Sequence, residues 1–301
     1  MNIGRRDFIK RSALGVGTVL AGASLTRAKE SIPLRFDPYE QVSLGKTKVK
    51  MSRVCMGTGV HGSKRESNQT RMGKEKFQSL IQGAYERGVR VFDLADLYGT
   101  HPYLLPALKS VPRKDYIIIS KIWWNKGGIP EPERPPADVV VQRFLKELGT
   151  DYIDLVLLHC VTSAKWNEDL GDYMNVLAKF KEKGVIRAHG VSCHHLDALE
   201  TAAKEPWVDS VHARINPYGM SMDGPADKVA PALKKIHDAG KGVVGMKIIG
   251  EGRLRNDDEK RHESVRYALG LGCVDILNVG FEKIEEVDDF ASRVRKVERQ
   301  A

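Results

Sequence analysis

The 301-residue chain is 42% hydrophobic and 29% charged, enough apolar material for one large core, which excludes a disordered or fibrous protein. Much of its formal charge of +9 sits at the N-terminus, where Arg5, Arg6, Lys10, Arg11 and Arg27 face only Asp7. Elsewhere bases alternate with acids, as in Glu282-Lys283-Ile284-Glu285-Glu286, with no basic stripe and interleaved aromatics, so the charge reads as a solvated surface rather than a nucleic-acid site.

The first residues, Gly4-Arg-Arg-Asp-Phe-Ile-Lys10, precede a weakly apolar run of small residues, the grammar of a signal peptide. The head resembles the twin-arginine export signal, with Ile9 in place of Leu and Gly4 in place of Ser or Thr. Ala13 to Leu25 is shorter than the roughly 20 residues that span a bilayer, so no stable membrane insertion is expected. The resemblance implies a signal peptide over 1–28, cut after Ala23 or Ala28, engagement of the Tat translocase, and a periplasmic or exported product. Gly15-x-Gly17 has no preceding strand and does not read as a dinucleotide loop. Residues 29–39 read as linker, and 40–301 as the folded domain.

Val42 to Val49, interrupted by Gly45-Lys46, reads as a β-hairpin suited to plugging a barrel bottom. Then short β-rich runs near 52–57, 89–95, 115–123, 152–160, 186–192, 208–215, 242–248 and 275–280 alternate with amphipathic helical stretches. The helices include Lys74–Arg87, Val139–Leu148, Leu170–Lys183, Leu196–Lys204 and Asp227–Ala239, with Gly88, Gly184 and Gly240 at C-cap positions. Eight such units predict an α/β fold, a (β/α)8 TIM barrel with an N-terminal hairpin. An open nucleotide-binding sheet needs a Gly-rich first turn that is missing. Cys55, Cys160, Cys193 and Cys273 are too widely spaced for a metal or redox pair and are expected as free, buried small hydrophobes, with no metal site.

Catalytic groups of such a barrel belong at the C-terminal ends of its strands. There the second strand ends in Asp93-Leu-Ala-Asp-Leu-Tyr98, the third in Ser120-Lys121 and the fourth in Leu158-His159-Cys160. The Asp93 to Tyr98 spacing, Lys121, the run Asp154-Leu-Val-Leu-Leu-His159 and its lead-in Leu148-Gly-Thr-Asp-Tyr-Ile-Asp154 together resemble the aldo-keto reductase superfamily, over roughly residues 40–292. The resemblance implies hydride transfer between NAD(P)H and a small carbonyl or alcohol substrate. Tyr98 is then the proton donor, Lys121 lowers its pKa, Asp93 holds Lys121, and His159 orients the carbonyl oxygen.

The resemblance also implies a cofactor path. Gly57 and Thr58 lie beside the ring and ribose, and Ser192 and Cys193 stand where Ser-Asn holds the carboxamide. His212 replaces a Gln and Ile215 the stacking Tyr. Lys247 and Gly250 flank the pyrophosphate, and Gly280, Glu282 and Lys283 form a loop meeting a helix N-terminus. Glu286 falls where an Arg usually grips the 2′-phosphate, which leaves NADPH preference open. These departures keep a second class in view: a catalytically weak or inactive barrel that binds a nucleotide or small carbonyl ligand outside the cytoplasm. A third, polyanion binding, rests on charge alone and predicts strong salt sensitivity. The loop Trp123 to Pro136 is expected to wall a wide, open substrate site.

Overall fold

The structure, a computed structural model, describes residues 34–299, so the expected signal peptide and the linker up to residue 33 lie outside the described residues. The chain enters with two short antiparallel strands, β1 (Gln41–Ser43) and β2 (Lys50–Ser52), in which Val42 faces Met51. The hairpin turn is wider than its sequence implied. Leu44 N donates to Val49 O (2.9 Å) across it, so Val49 belongs to the turn and the residues to Ser52, not the first barrel strand, form the second arm.

Eight parallel strands follow: β3 (Val54–Gly57), β4 (Val91–Asp93), β5 (Ile117–Ile122), β6 (Ile153–Val161), β7 (Ile186–Cys193), β8 (Ser210–Arg214), β9 (Gly242–Met246) and β10 (Ile276–Gly280). They pair in chain order and close where β10 meets β3, which is the expected barrel. Because side chains alternate across a strand, Cys55, Val91, Ile117, Ile119, Leu155, Leu157, Ala188, Val244 and Ile276 point inward and form one buried cluster. Leu44, Val49 and Met51 from the hairpin complete that cluster, so the hairpin is the barrel's floor. Burial of each Val, Leu, Ile or Met among them is worth about 1.5–3 kcal/mol.

The helices are α1 (Asn68–Arg71), α2 (Lys74–Arg87), α3 (His101–Ala107), α4 (Ala137–Leu148), α5 (Trp166–Asp169), α6 (Gly171–Glu182), α7 (Leu196–Lys204), α8 (Ala226–Asp238), α9 (Asp258–Gly270) and α10 (Ile284–Arg295). Most lay a helical-period apolar stripe on the outward strand faces. In α2, Phe77, Leu80, Ile81 and Ala84 are buried, and the helix stops at left-handed Gly88. The polar α9 buries only Ser264, Val265, Ala268 and Leu269, which explains its weak periodic signal.

Residues 34–39, the end of the expected linker, are tied down. Arg35 bridges to Glu298, Phe36 N donates to Val297 O (3.2 Å), and Arg299 N donates to Leu34 O (2.7 Å). All four cysteines are free, with Cys55, Cys193 and Cys273 buried and Cys160 half-buried. No helix among the described residues is long and apolar enough to cross a membrane.

Candidate active site

At the C-terminal mouth, strand register sets the stage. Gly57 lies beside Asp93, Asp93 beside Ile119, and Ser192 beside His212. Asp93 and Lys121 both point inward from neighbouring strands, and Lys121 Nζ donates to Asp93 Oδ1 at 2.5 Å and to Leu94 O at 2.9 Å. Both side chains are essentially inaccessible to solvent. Burial by itself pushes the Asp93 carboxyl up, but the Lys121 ammonium and His212 outweigh it and hold the group well below the usual carboxylate range. Asp93 is therefore a carboxylate inside the barrel.

Tyr98 ends a single 3-10 turn, Asp96–Tyr98, closed by left-handed Gly99. That turn is braced through Asp96, a buried carboxylate that accepts from Arg65 Nε (3.0 Å) and an Arg143 terminal nitrogen (2.8 Å). The backbone after β3 lies flat on the phenol ring. A Cβ on Gly59 or Gly62 would come within 2.3 or 2.4 Å of ring carbons, so only glycine fits there.

The Tyr98 hydroxyl reaches His159 Nε2 at 3.3 Å, and the rings meet edge to face. A register shift in β6 between Leu158 and Val161, with Cys160 at φ +57°, turns His159 onto the phenol. Burial, then the nearby Lys121 charge, keeps the His159 pKa well below its ordinary value, so the ring is neutral at neutral pH. His159 Nδ1 is buried with no hydrogen-bond partner among the described residues. The tautomer with its proton on Nε2 thus leaves no buried N–H stranded.

One expectation is reversed. Lys121 does not lower the phenol's pKa; burial, then the Asp93 charge, pushes it well above its ordinary value. Lys121 Nζ is 5.1 Å from the Tyr98 ring centroid and its charge is matched by Asp93, so the phenol sees a neutral pair. Tyr98 is held as the protonated phenol.

From Tyr98 a cleft of about 180 Å³ runs past Asp93, Gly57 and Gly280 to Lys247, Arg255 and Arg293. Of the expected cofactor residues, Gly57, Lys247, Gly280 and Glu282 line it. Gly250 lies between its lining residues Ile249 and Glu251. Ser192 and His212 are fully buried. Ser192 Oγ is unpartnered among the described residues, and His212 Nε2 is 3.6 Å from Asp93.

Three placements differ from expectation. Thr58 is turned away from the cleft, its hydroxyl bound to Asp93 O and Thr100 Oγ1, both at 2.9 Å. Cys193 packs outward with the helices, because β7 alternation places Ser192 inside. Lys283 stands outside the cleft, and the two N–H groups just before α10 are taken by a side chain. Glu286 Oε2 accepts from Glu282 N (2.7 Å) and Lys283 N (3.3 Å).

Other site residues escaped the sequence reading. Asn278, inward on β10, donates from Nδ2 to Asp93 Oδ2 at 2.6 Å; a polar residue inside Ile276-Leu277-Asn278-Val279 was its available signal. His194 lines the cleft 3.4 Å from Cys160 Sγ, and Trp124 Nε1 donates to His159 O (2.7 Å). Lys247 is ion-paired with Glu251 at 2.5 Å, and Arg255 has no acidic partner among the described residues. A Ser120–His101–Glu147 chain (2.8 and 2.7 Å) has a nucleophile's look, but it is packed behind β5 and none of its members lines the cleft.

A phenol, a neutral imidazole and a buried ammonium–carboxylate pair at one mouth define an acid–base site on a (β/α)8 barrel. The chain belongs to the aldo/keto reductase family, whose profile matches residues 53–293. It is 25% identical over 243 residues to an aldo-keto reductase of Bacillus subtilis, covering 74% of this chain and 69% of that protein. It is 23% identical over 217 residues to a D-threo-aldose 1-dehydrogenase of a Pseudomonas species, covering 63% and 64%. Some matches span less, 46% to 60% of the relatives' own length. The holo form of an aldo-keto reductase from Bacillus halodurans superposes with a TM-score of 0.69 at 20% identity, covering 87% of this chain and 93% of that one, which supports the fold.

Proposed function

We propose that the protein moves a hydride between a nicotinamide nucleotide and a carbonyl or alcohol substrate, with Tyr98 as the proton donor of reduction. The observation that carries this reading is the Tyr98 hydroxyl, protonated and 3.3 Å from neutral His159, beside the buried Lys121–Asp93 pair. The site fits a nicotinamide nucleotide: the unpartnered Ser192 Oγ offers a hydrogen-bonding group for a carboxamide, and Gly57, Gly280 and Lys247, from three different strand ends, line one cleft with Tyr98.

When bound, the reduced nicotinamide supplies a hydride to the carbonyl carbon. As negative charge builds on the oxygen, His159 Nε2–H fixes that oxygen and Tyr98 delivers its proton. Lys121 and Asp93, as a charge-matched pair, hold the geometry of the mouth rather than lower the cost of the phenolate, which regains a proton as the site turns over. Mixing the purified protein with NADH or NADPH and a simple aldehyde tests the reading. Trp123, 5.6 Å from the His159 ring, reports binding by quenched fluorescence, and nucleotide consumption reports turnover. Binding without consumption over a broad carbonyl panel is the result expected of an inactive binding barrel, a reading that nothing in the site geometry favours.

The α10 N-terminus bears on nucleotide choice. A helix N-terminus is a natural seat for a phosphate, but just before α10 the Glu286 carboxylate holds the N–H groups of Glu282 and Lys283 and would repel a second anion there. Arg255 is the cation left to compensate. NADH and NADPH are therefore expected to bind within about tenfold of each other, roughly 1.4 kcal/mol. Fluorescence titration at fixed ionic strength checks this, and a hundredfold preference for NADPH contradicts it.

We further propose export through the twin-arginine route, supported by the Gly4 to Lys10 resemblance. Folded export suits a barrel that takes up its nucleotide before leaving the cytoplasm. Replacing Arg5 and Arg6 together by Lys is expected to hold the protein in the cytoplasmic fraction. Unchanged periplasmic yield rules the route out.

A further inference from the structure

Asn278 has two faces of different chemistry. Its side chain points inward from β10, is 8% exposed, and lines the cleft between the catalytic mouth and the Lys247 end. A carboxylate accepts hydrogen bonds and cannot donate them, so the 2.6 Å contact to Asp93 Oδ2 fixes which end of the amide is Nδ2. Lys121 holds the other carboxylate oxygen at 2.5 Å, so Asp93 is clamped from both sides and the Asn278 amide cannot flip without facing oxygen to oxygen.

Its carbonyl Oδ1 is thereby fixed in orientation, and it is buried without a partner among the described residues. Buried acceptors left unpaired are uncommon because they forfeit their bond to water. Oδ1 lies close against the backbone of Gly57, where a Cβ would sit only 2.8 Å from it, so only glycine lets the amide take this position.

We propose that Asn278 Oδ1 accepts a hydrogen bond from a hydroxyl of the ribose attached to nicotinamide, oriented for that task by Asp93; this rests on the nucleotide-binding reading above. The covalent order of the ligand is ring, ribose, pyrophosphate. Asn278 lies along the cleft between Tyr98, where the reacting ring carbon must come, and Lys247, which flanks the phosphate end. Ser192, the partner offered to the carboxamide, is on β7, three strands around the barrel from β10, so the carboxamide is engaged elsewhere. The donor that remains for this stretch is a ribose hydroxyl. The sugar is thereby tied to the same carboxylate that positions Lys121.

The test compares NADH with its analogues lacking the 2′- or the 3′-hydroxyl of the nicotinamide ribose, titrated by Trp fluorescence against wild type, Asn278→Leu and Gly57→Ala. Wild type is expected to bind one analogue roughly five- to tenfold more weakly than NADH, the scale of a lost hydrogen bond. Asn278→Leu is expected to bind NADH and that analogue alike. Gly57→Ala places a Cβ only 2.8 Å from Oδ1, so the amide must shift, and it too should lose the discrimination; its thermal melt, read beside that of Asn278→Leu, shows whether the fold is kept. If wild type does not discriminate, or if Gly57→Ala discriminates as wild type does, the assignment of Asn278 is overturned. A wild-type protein that binds no NADH overturns the nucleotide reading itself, and the assignment with it.

Discussion

Tyr98→Phe is expected to lower turnover of an aldehyde by about 10²-fold or more while nucleotide affinity stays nearly unchanged. The substitution removes one oxygen, the one that faces His159 Nε2, and leaves the ring that Gly59 and Gly62 lie against. Packing is thus preserved and the loss reads on proton donation alone. The pH profile adds a second check. Burial and the Asp93 charge raise the Tyr98 pKa, so the donor stays protonated through the ordinary phenol value of about 10. Burial and the Lys121 charge lower that of His159, so the imidazole stays neutral below its ordinary value of about 6.5. Reduction is expected to be flat between those limits. Wild-type turnover in the Phe variant, measured with saturating nucleotide, contradicts the assignment.

Lys121→Met is expected to be the most destabilising single change at the site, by about 3–5 kcal/mol at neutral pH, since it strands Asp93 as a buried charge. Asn278 and His212 remain as its partners but supply no full compensating charge. The sign with pH follows from linkage. In wild type the Asp93 pKa is depressed on folding, so the pair's contribution is present above the unfolded value of about 3.9 and is lost as pH falls below it. In the variant, burial is opposed only by the neutral Asn278 and His212, and the folded pKa rises. The deficit is then relieved as pH falls through that raised value. The double variant Asp93→Asn, Lys121→Met, which removes both charges, should recover much of the loss. Denaturant unfolding at neutral and mildly acidic pH measures all of this, and a double variant less stable than Lys121→Met sinks the argument.

The barrel and its four central residues were legible in the sequence because they obey simple periods. Strand alternation fixes that Asp93, Lys121 and His159 point inward, and the turn after Asp93 carries Tyr98 to the same mouth. What was not legible depends on contacts between distant strands. Nothing local tells that Thr58 turns to Thr100, or that Glu286 folds back onto the α10 N-terminus. Alternation did hold the answer for Cys193, since inward Ser192 requires an outward neighbour, and for Asn278, the inward polar residue of an apolar strand. The direction of the Tyr98 pKa needed the structure, because it turns on Lys121 being neutralised by Asp93 and on the depth of the phenol.

This barrel is expected to pass a hydride from a nicotinamide to a carbonyl carbon. The most direct measurement incubates the purified protein with an aldehyde and NADH or NADPH deuterated at the transferable C4 position, then weighs the alcohol product. One deuterium on the carbinol carbon, lost on Tyr98→Phe over the same interval, is the result predicted here. An unlabelled alcohol, or no alcohol across a broad carbonyl panel from a protein that binds the nucleotide, contradicts it.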